Sequence, residues 1–215
     1  MATLPHVAPA IVPVLPRAET LRMRDGTAIT MRRVDAEDKA RLFGIFGHLS
    51  AESRNQRFMA GIATLSESQL RYLTELDHRD HEAWIAVDSR ASGDVALGVA
   101  RYVRLRGEPD VAEVAVAVID DHHGLGLGTA LLAMVSRSAA EHGIRTFRAH
   151  VFDTNMAMIQ IFAELGATIR SRDANVLCLE IPVARDAAAL PDTPAGAALR
   201  RLVFSTPANR PATAA

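Results

Sequence analysis

Along the chain the apolar positions change period several times, alternating in some stretches and recurring every three to four residues in others, which predicts mixed strands and helices. Ala28 to Arg33 alternates after the turn Asp25-Gly26 and reads as a first strand. Asp35 opens a helix that runs to about His48, Ser50-Ala51-Glu52-Ser53 starts another, and Ser66 followed by Gln69 is a capping box for a third, through Leu76. Trp84 to Val87, Val95 to Val103 and Ala112 to Ile119 read as three consecutive strands, joined by the short polar stretches Ser89 to Asp94 and Arg106 to Asp110. Connections that short favour an antiparallel meander. A glycine-rich loop follows, and Thr129 to His142 then carries Ala130, Leu131, Met134, Val135 and Ala139 at helical spacing up to the stop at Gly143. Thr146 to Phe152 is a fifth strand, Asn155 to Glu164 a helix closed by Leu165-Gly166, and Thr168 to Arg172 with Val176 to Ile181 a terminal strand pair. The pattern predicts an α/β (α+β) fold and contains no internal repeat.

Composition bounds this picture. With 215 residues, 49% of them hydrophobic, the chain suffices for one well-buried domain. Residues 1–20 and 184–215 are rich in Ala, Pro and Thr, so the expected layout is a flexible leader, a domain over 21–183, and a tail that is disordered or partly helical around Ala195 to Phe204. The apolar run Val7 to Leu15 is broken by Pro9 and Pro13 and lacks a basic flank, so it is not read as a signal peptide or a membrane span. A formal net charge of -1 offers no global field to hold nucleic acid or an anionic membrane, and neither is an expected partner. The single Cys178 allows no internal disulfide and suits a reducing, cytoplasmic setting. Lys39 is the only lysine.

The chemistry is concentrated in the loop His123-Gly124-Leu125-Gly126-Leu127-Gly128-Thr129. Glycines at alternate positions between an apolar strand and a helix let a ligand approach the backbone, and the N–H groups and helix dipole there favour a phosphate. A P-loop would need Gly-Lys-Ser/Thr, whereas the loop closes Gly128-Thr129-Ala130 without a lysine. A dinucleotide fingerprint needs its third glycine or alanine three residues after the second, and neither glycine pair provides it.

What remains resembles the GNAT superfamily of N-acetyltransferases, whose loop Gln/Arg-x-x-Gly-x-Gly/Ala is matched at His123, Gly126 and Gly128, and whose following helix opens on an Asn and closes on a Gly, here Asn155 and Gly166. A closer likeness is to the acetyltransferase domain of bacterial Pat-type protein lysine acetyltransferases. It is carried by Met23-Arg24-Asp25-Gly26-Thr27, Ser50-x-Glu52-Ser53-x-x-x-Arg57-Phe58, Asp77-x-x-x-His81 and Val99-Ala100-Arg101-Tyr102. The resemblance covers roughly residues 21–182. It implies a twisted, mostly antiparallel sheet of six to seven strands with flanking helices, splayed between strands four and five. It also implies acetyl-CoA as cosubstrate, cradled by the loop from His123 to Thr129. Its pantetheine arm would be paired by the backbone of Val116, Ala117 and Val118 and held by Asn155. The implied acceptor is a protein lysine. A small-molecule amine is the alternative within enzymes, and a non-catalytic acyl-CoA sensor the alternative outside them.

Transfer to an amine needs a base, because an alkyl ammonium with a pKa of ~10.4 is not a nucleophile at neutral pH. Glu113 is the only acid between Val111 and Ile119, and burial among Val114, Val116 and Val118 is expected to raise its pKa. In Pat-type relatives the glutamate of the motif Ala-Glu-x-Ala/Val-Val is the base, and Ala112-Glu113-Val114-Ala115-Val116 matches that motif. Glu108 and Asp110 join Glu113 as acids that would attract an ammonium. Many relatives carry a tyrosine as general acid about seven residues after the Asn, and Phe162 stands in that slot. His123 and Leu125 replace the more common Gln or Arg and Arg. His78 with His81, and His122 with His123, are read as turn residues, no metal is expected, and Cys178 is read as an inert buried thiol.

Overall fold

The computed structural model describes residues 18–23, 26–59, 63–88, 90 and 94–204. Eight strands form one sheet in the order β1-β2-β3-β4-β5-β6-β8-β7. In sequence they are β1 (Ala18–Arg22), β2 (Ala28–Arg33), β3 (His81–Asp88), β4 (Val95–Leu105), β5 (Glu108–Val118), β6 (Thr146–Phe152), β7 (Thr168–Asp173) and β8 (Val176–Pro182). The helices are α1 (Lys39–His48), α2 (Ala51–Phe58), α3 (Glu67–Thr74), α4 (Leu127–Glu141), α5 (Met156–Glu164) and α6 (Pro194–Val203). Every strand pairing is antiparallel except that of β5 with β6.

Local chemistry accounts for the helix boundaries. The Ser50 hydroxyl accepts from Ser53 N–H at the start of α2, and Ser66 with Gln69 forms the reciprocal capping box of α3. Asp35 caps a 3-10 turn, Ala36–Asp38, rather than α1 itself, and α1 continues from it. Asp38, fully buried, accepts two bonds from the Arg32 guanidinium at 2.7 Å each and one from Arg41 at 3.1 Å. This arrangement pins the α1 start to β2.

The fold extends past both ends of the domain expected from composition. β1 begins at Ala18 and pairs along β2 from Ala18–Arg32 to Arg22–Ala28, which makes the eighth strand beyond the six to seven implied. Its inward positions are Glu19 and Leu21, and Glu19 is neutralised by buried Arg137 of α4 at 2.9 Å. A charge at a core-facing position hides the alternation that would have announced the strand. At the other end α6 is capped by Thr193 and packs on α4, burying Ala195, Leu199 and Val203. The leader's residues 1–17 and the tail's residues 205–215 lie outside the described residues.

The sheet carries its core on both faces. On β4 and β5 the even-numbered Ala100, Tyr102, Ala112 and Val114 are buried on the side of α4. The odd-numbered Val99, Arg101, Ala115 and Ala117 share the side of α1 to α3 with Glu113. The sheet thereby separates two environments within the same pair of strands.

Candidate active site

β5 pairs with β6 only at Val111–Thr146, Ala112–Phe147 and Glu113–Arg148. Beyond that third rung β5 continues against β4 alone, while β6 continues against β8 from Ala149–Leu179 to Phe152–Val176. The expected splay between the fourth and fifth predicted strands is therefore present, and it opens directly after Glu113. The backbone of β5 indicates which groups face the opening. Ile119 N–H donates to Leu97 O at 2.9 Å, and Ala117 O lies so close to β4 that a Cβ on Gly98 would come within 2.8 Å of it. Backbone direction alternates along a strand, so Val116 and Val118 turn their N–H and C=O groups toward the opening. Gly98 allows the close approach of β4 to β5, since any side chain there would strike backbone.

The glycine loop closes the far end of the opening. Gly124 and Gly126 adopt positive φ, +74° and +86°, and Gly126 is the N-cap of α4. The first helical bond is donated by Ala130 N–H to Gly126 O at 3.0 Å, so the N–H groups of Leu127, Gly128 and Thr129 have no acceptor within the helix. Gly128 is helical with space around it. A Cβ there would meet only Val118 Cγ2, at an ordinary 3.8 Å. Leu127 is buried and fixes the loop to the core, whereas His123 and Gly124 are exposed. His123 Nε2 lies 2.9 Å from Val118 O and contacts the strand end it follows. Asn155, half-buried, caps α5 by accepting from Met158 N–H at 3.2 Å.

Glu113 sits at the mouth of the splay and is exposed. Val114, Val116 and Val118 do not cover it, because strand alternation sends those even-numbered side chains to the opposite face. Its cross-strand neighbours are Val103 and Arg148. Glu108 differs from the sequence expectation as well. It forms a two-pronged pair with Arg148 at 2.8 and 2.9 Å, which holds its carboxyl below the usual range and engages the charge expected to draw in an ammonium. Phe162 is buried in the core between β6 and α6 and presents no hydroxyl.

His78 and His81 are engaged in structural contacts. His78 Nδ1 lies 2.9 Å from fully buried Glu82, and His81 Nε2 lies 3.1 Å from the Arg101 guanidinium. Burial, and then the Arg101 charge, push His81 down to about 4, so it is neutral at pH 7. Among the described residues no group of three or more His, Cys, Asp or Glu side chains is arranged to hold a metal ion. Cys178 is a buried free thiol on β8. Among the described residues no helix is long and apolar enough to cross a membrane.

One feature of the site lay outside the sequence reading. On the Glu113 side of β4 and β5, α1, α2 and α3 border a half-open apolar cleft whose charged lining residues are Arg57 and Arg101. Both residues stand in Pat-like segments, yet neither segment announces that they converge.

A sheet splayed beyond Glu113, with a glycine loop that opens α4, is the geometry to set against known proteins. The Acetyltransferase (GNAT) family profile matches residues 47–167, and the chain belongs to that family. The chain is 33% identical to Acetyltransferase Pat of Mycolicibacterium smegmatis over 163 residues, which are 76% of this chain and 48% of that protein. It therefore spans about half the length of that relative. It is 28% identical to Acetyltransferase PA5475 of Pseudomonas aeruginosa over 66% of this chain and 76% of that one. Among solved structures, the GNAT domain of S. lividans PAT superposes with a TM-score of 0.69 at 31% identity, covering 77% of this chain and 96% of that domain. An acetyltransferase structure from Salmonella typhimurium holding acetyl-CoA shares the fold, with a TM-score of 0.59 at 19% identity.

Proposed function

We propose that the chain transfers the acetyl group of acetyl-CoA to a primary amine, with Glu113 as general base. The observation that carries this reading is the splay itself. It presents the backbone groups of Val116 and Val118 toward one open edge, begins at Glu113, and ends at the free N–H groups of the α4 start. A pantetheine arm pairs along that edge, with Asn155 beside it, and the pyrophosphate rests on the loop from His123 to Thr129, where dipole and N–H groups meet negative charge without a basic side chain.

In the reaction Glu113 takes one proton from the acceptor ammonium, directly or through water. The freed nitrogen lone pair attacks the thioester carbonyl carbon and forms the C–N bond. The carbonyl oxygen gains charge and takes a hydrogen bond from a backbone N–H at the open edge. When the carbonyl reforms, the C–S bond breaks and the electron pair leaves on sulfur. The nitrogen's second proton goes to the thiolate or to water, giving an amide and free CoA. With Phe162 in place of tyrosine, no side-chain acid is required, because a thiolate of pKa ~8.5 leaves readily.

The Pat-type resemblance supports a protein lysine as acceptor. A small amine is a second reading, favoured by the cleft lined by Arg57 and Arg101 beside Glu113. The experiment is thiol release from acetyl-CoA by the purified chain, with a lysine-containing peptide and a panel of small amines as acceptors. Release that requires an amine supports transfer. Binding of acetyl-CoA without release to any acceptor would leave a sensor instead.

A further inference from the structure

Arg101 projects from the middle of a central strand into the cleft under α1 to α3, and only 5% of it is exposed. Its guanidinium reaches neutral acceptors only: His81 Nε2 at 3.1 Å and Leu73 O at 3.2 Å. Its buried Nε–H has no partner among the described residues. Buried arginines in folded proteins are ordinarily matched by a carboxylate, because an unpaired buried charge is costly. Elsewhere this protein follows that rule, with buried Arg137 on Glu19.

A second guanidinium, that of Arg57, lines the same cleft and stacks over the Phe58 ring at 4.9 Å. No carboxylate lies within 4 Å of it among the described residues, although the Glu113 charge is near enough to offset part of its burial cost. The two guanidiniums feel each other. Burial, and then the Arg57 charge, bring Arg101 down to about 9. Two like charges converge on an apolar cleft next to the proposed base, and among the described residues no carboxylate forms an ion pair with either. A cleft built this way repels a bare ammonium and accepts an anion.

Resting on the transfer reading above, we infer that Arg57 and Arg101 bind the carboxylate of the acceptor, which is a small amine carrying its own acid group, such as an amino acid with an apolar side chain. The zwitterion removes the conflict. Its carboxylate pairs with the fork of Arg101, using the free Nε–H, and with Arg57. Its ammonium is thereby directed toward Glu113, and its apolar portion contacts Leu42, Ile45 and Phe46.

The test compares L-leucine with 3-methylbutylamine, which is leucine without its carboxylate, and with a lysine-containing peptide. CoA release by the full chain is followed as a function of acceptor concentration. Leucine is expected to have a kcat/KM at least tenfold above that of the decarboxylated amine, through KM. In Arg57→Gln and in Arg101→Lys that gap is expected to collapse toward one. Arg57→Gln is the half-buried site and keeps the test interpretable if the Arg101 variant fails to fold. Equal use of the amine and the acid, or preference for the peptide with an intact ratio in the variants, would overturn the inference while leaving acetyl transfer standing. Release with no acceptor at all would overturn the transfer reading beneath it, and this inference with it.

Discussion

Glu113 and His81 show how a residue's neighbours on its own face, rather than in sequence, set its behaviour. Glu113 is flanked by Ala112 and Val114, yet both are buried on the other side of β5 and it is exposed. Glu113→Gln is accordingly expected to leave stability within about 0.5 kcal/mol, the range for surface changes, while lowering kcat by roughly 10²–10⁴-fold, the usual worth of a general base. Thermal unfolding and steady-state thiol release on the same preparation check both halves. His81 is held neutral, with a folded pKa of about 4 against ~6.5 when unfolded. The unfolded chain therefore takes up this proton first as pH falls, so the contribution of His81 is complete above ~6.5, declines below it, and levels off near 4. Urea midpoints measured from pH 8 to 4 should show that decline, and His81→Gln should flatten it. The loop glycines, Glu113 and Asn155 were legible as candidates because each depends on local spacing. Arg57 and Arg101 were not legible as a pair, because 44 positions separate them and only the α2 and β4 packing brings them into one cleft.

At the scale of the element, the start of α4 separates backbone requirements from ligand requirements. Gly126 holds a positive φ, so Gly126→Ala is strained by roughly 1–2 kcal/mol whether or not a ligand binds. Gly128 is helical with room for a methyl group, so Gly128→Ala should hold or raise the melting temperature, by up to about 1 kcal/mol of helix propensity. The same methyl group intrudes on the proposed cradle, and acetyl-CoA affinity measured by calorimetry should fall at least tenfold. A variant with raised stability and undiminished affinity would place the phosphate elsewhere. Most elements were readable because caps and periodicity agreed, as at Ser66 with Gln69 and along α4. β1 was not, since Glu19 occupies a core position and pairs there with Arg137, 118 residues later. Likewise the start of α1 moved from Asp35 to Lys39 because Asp38 serves the buried Arg32 pair.

Across the whole molecule, the partly helical tail expected around Ala195 to Phe204 takes the form of α6, an Ala-rich segment too weak to fold alone that gains its stability by covering α4. Leu199 is 4% exposed in that contact, and Leu199→Ala should cost about 2–5 kcal/mol in urea unfolding. The same scale exposes a mechanical property of the sheet. Five strands zip together on one side and three on the other, and a seam of only three residue pairs joins them. Amide hydrogen exchange should divide the sheet there into two cooperatively opening blocks, β1 to β5 and β6 to β8, with the amides nearest the seam exchanging through low-energy separation of the two. A cosubstrate lying in the opening would bridge those blocks, so acetyl-CoA should slow exchange on both sides at once.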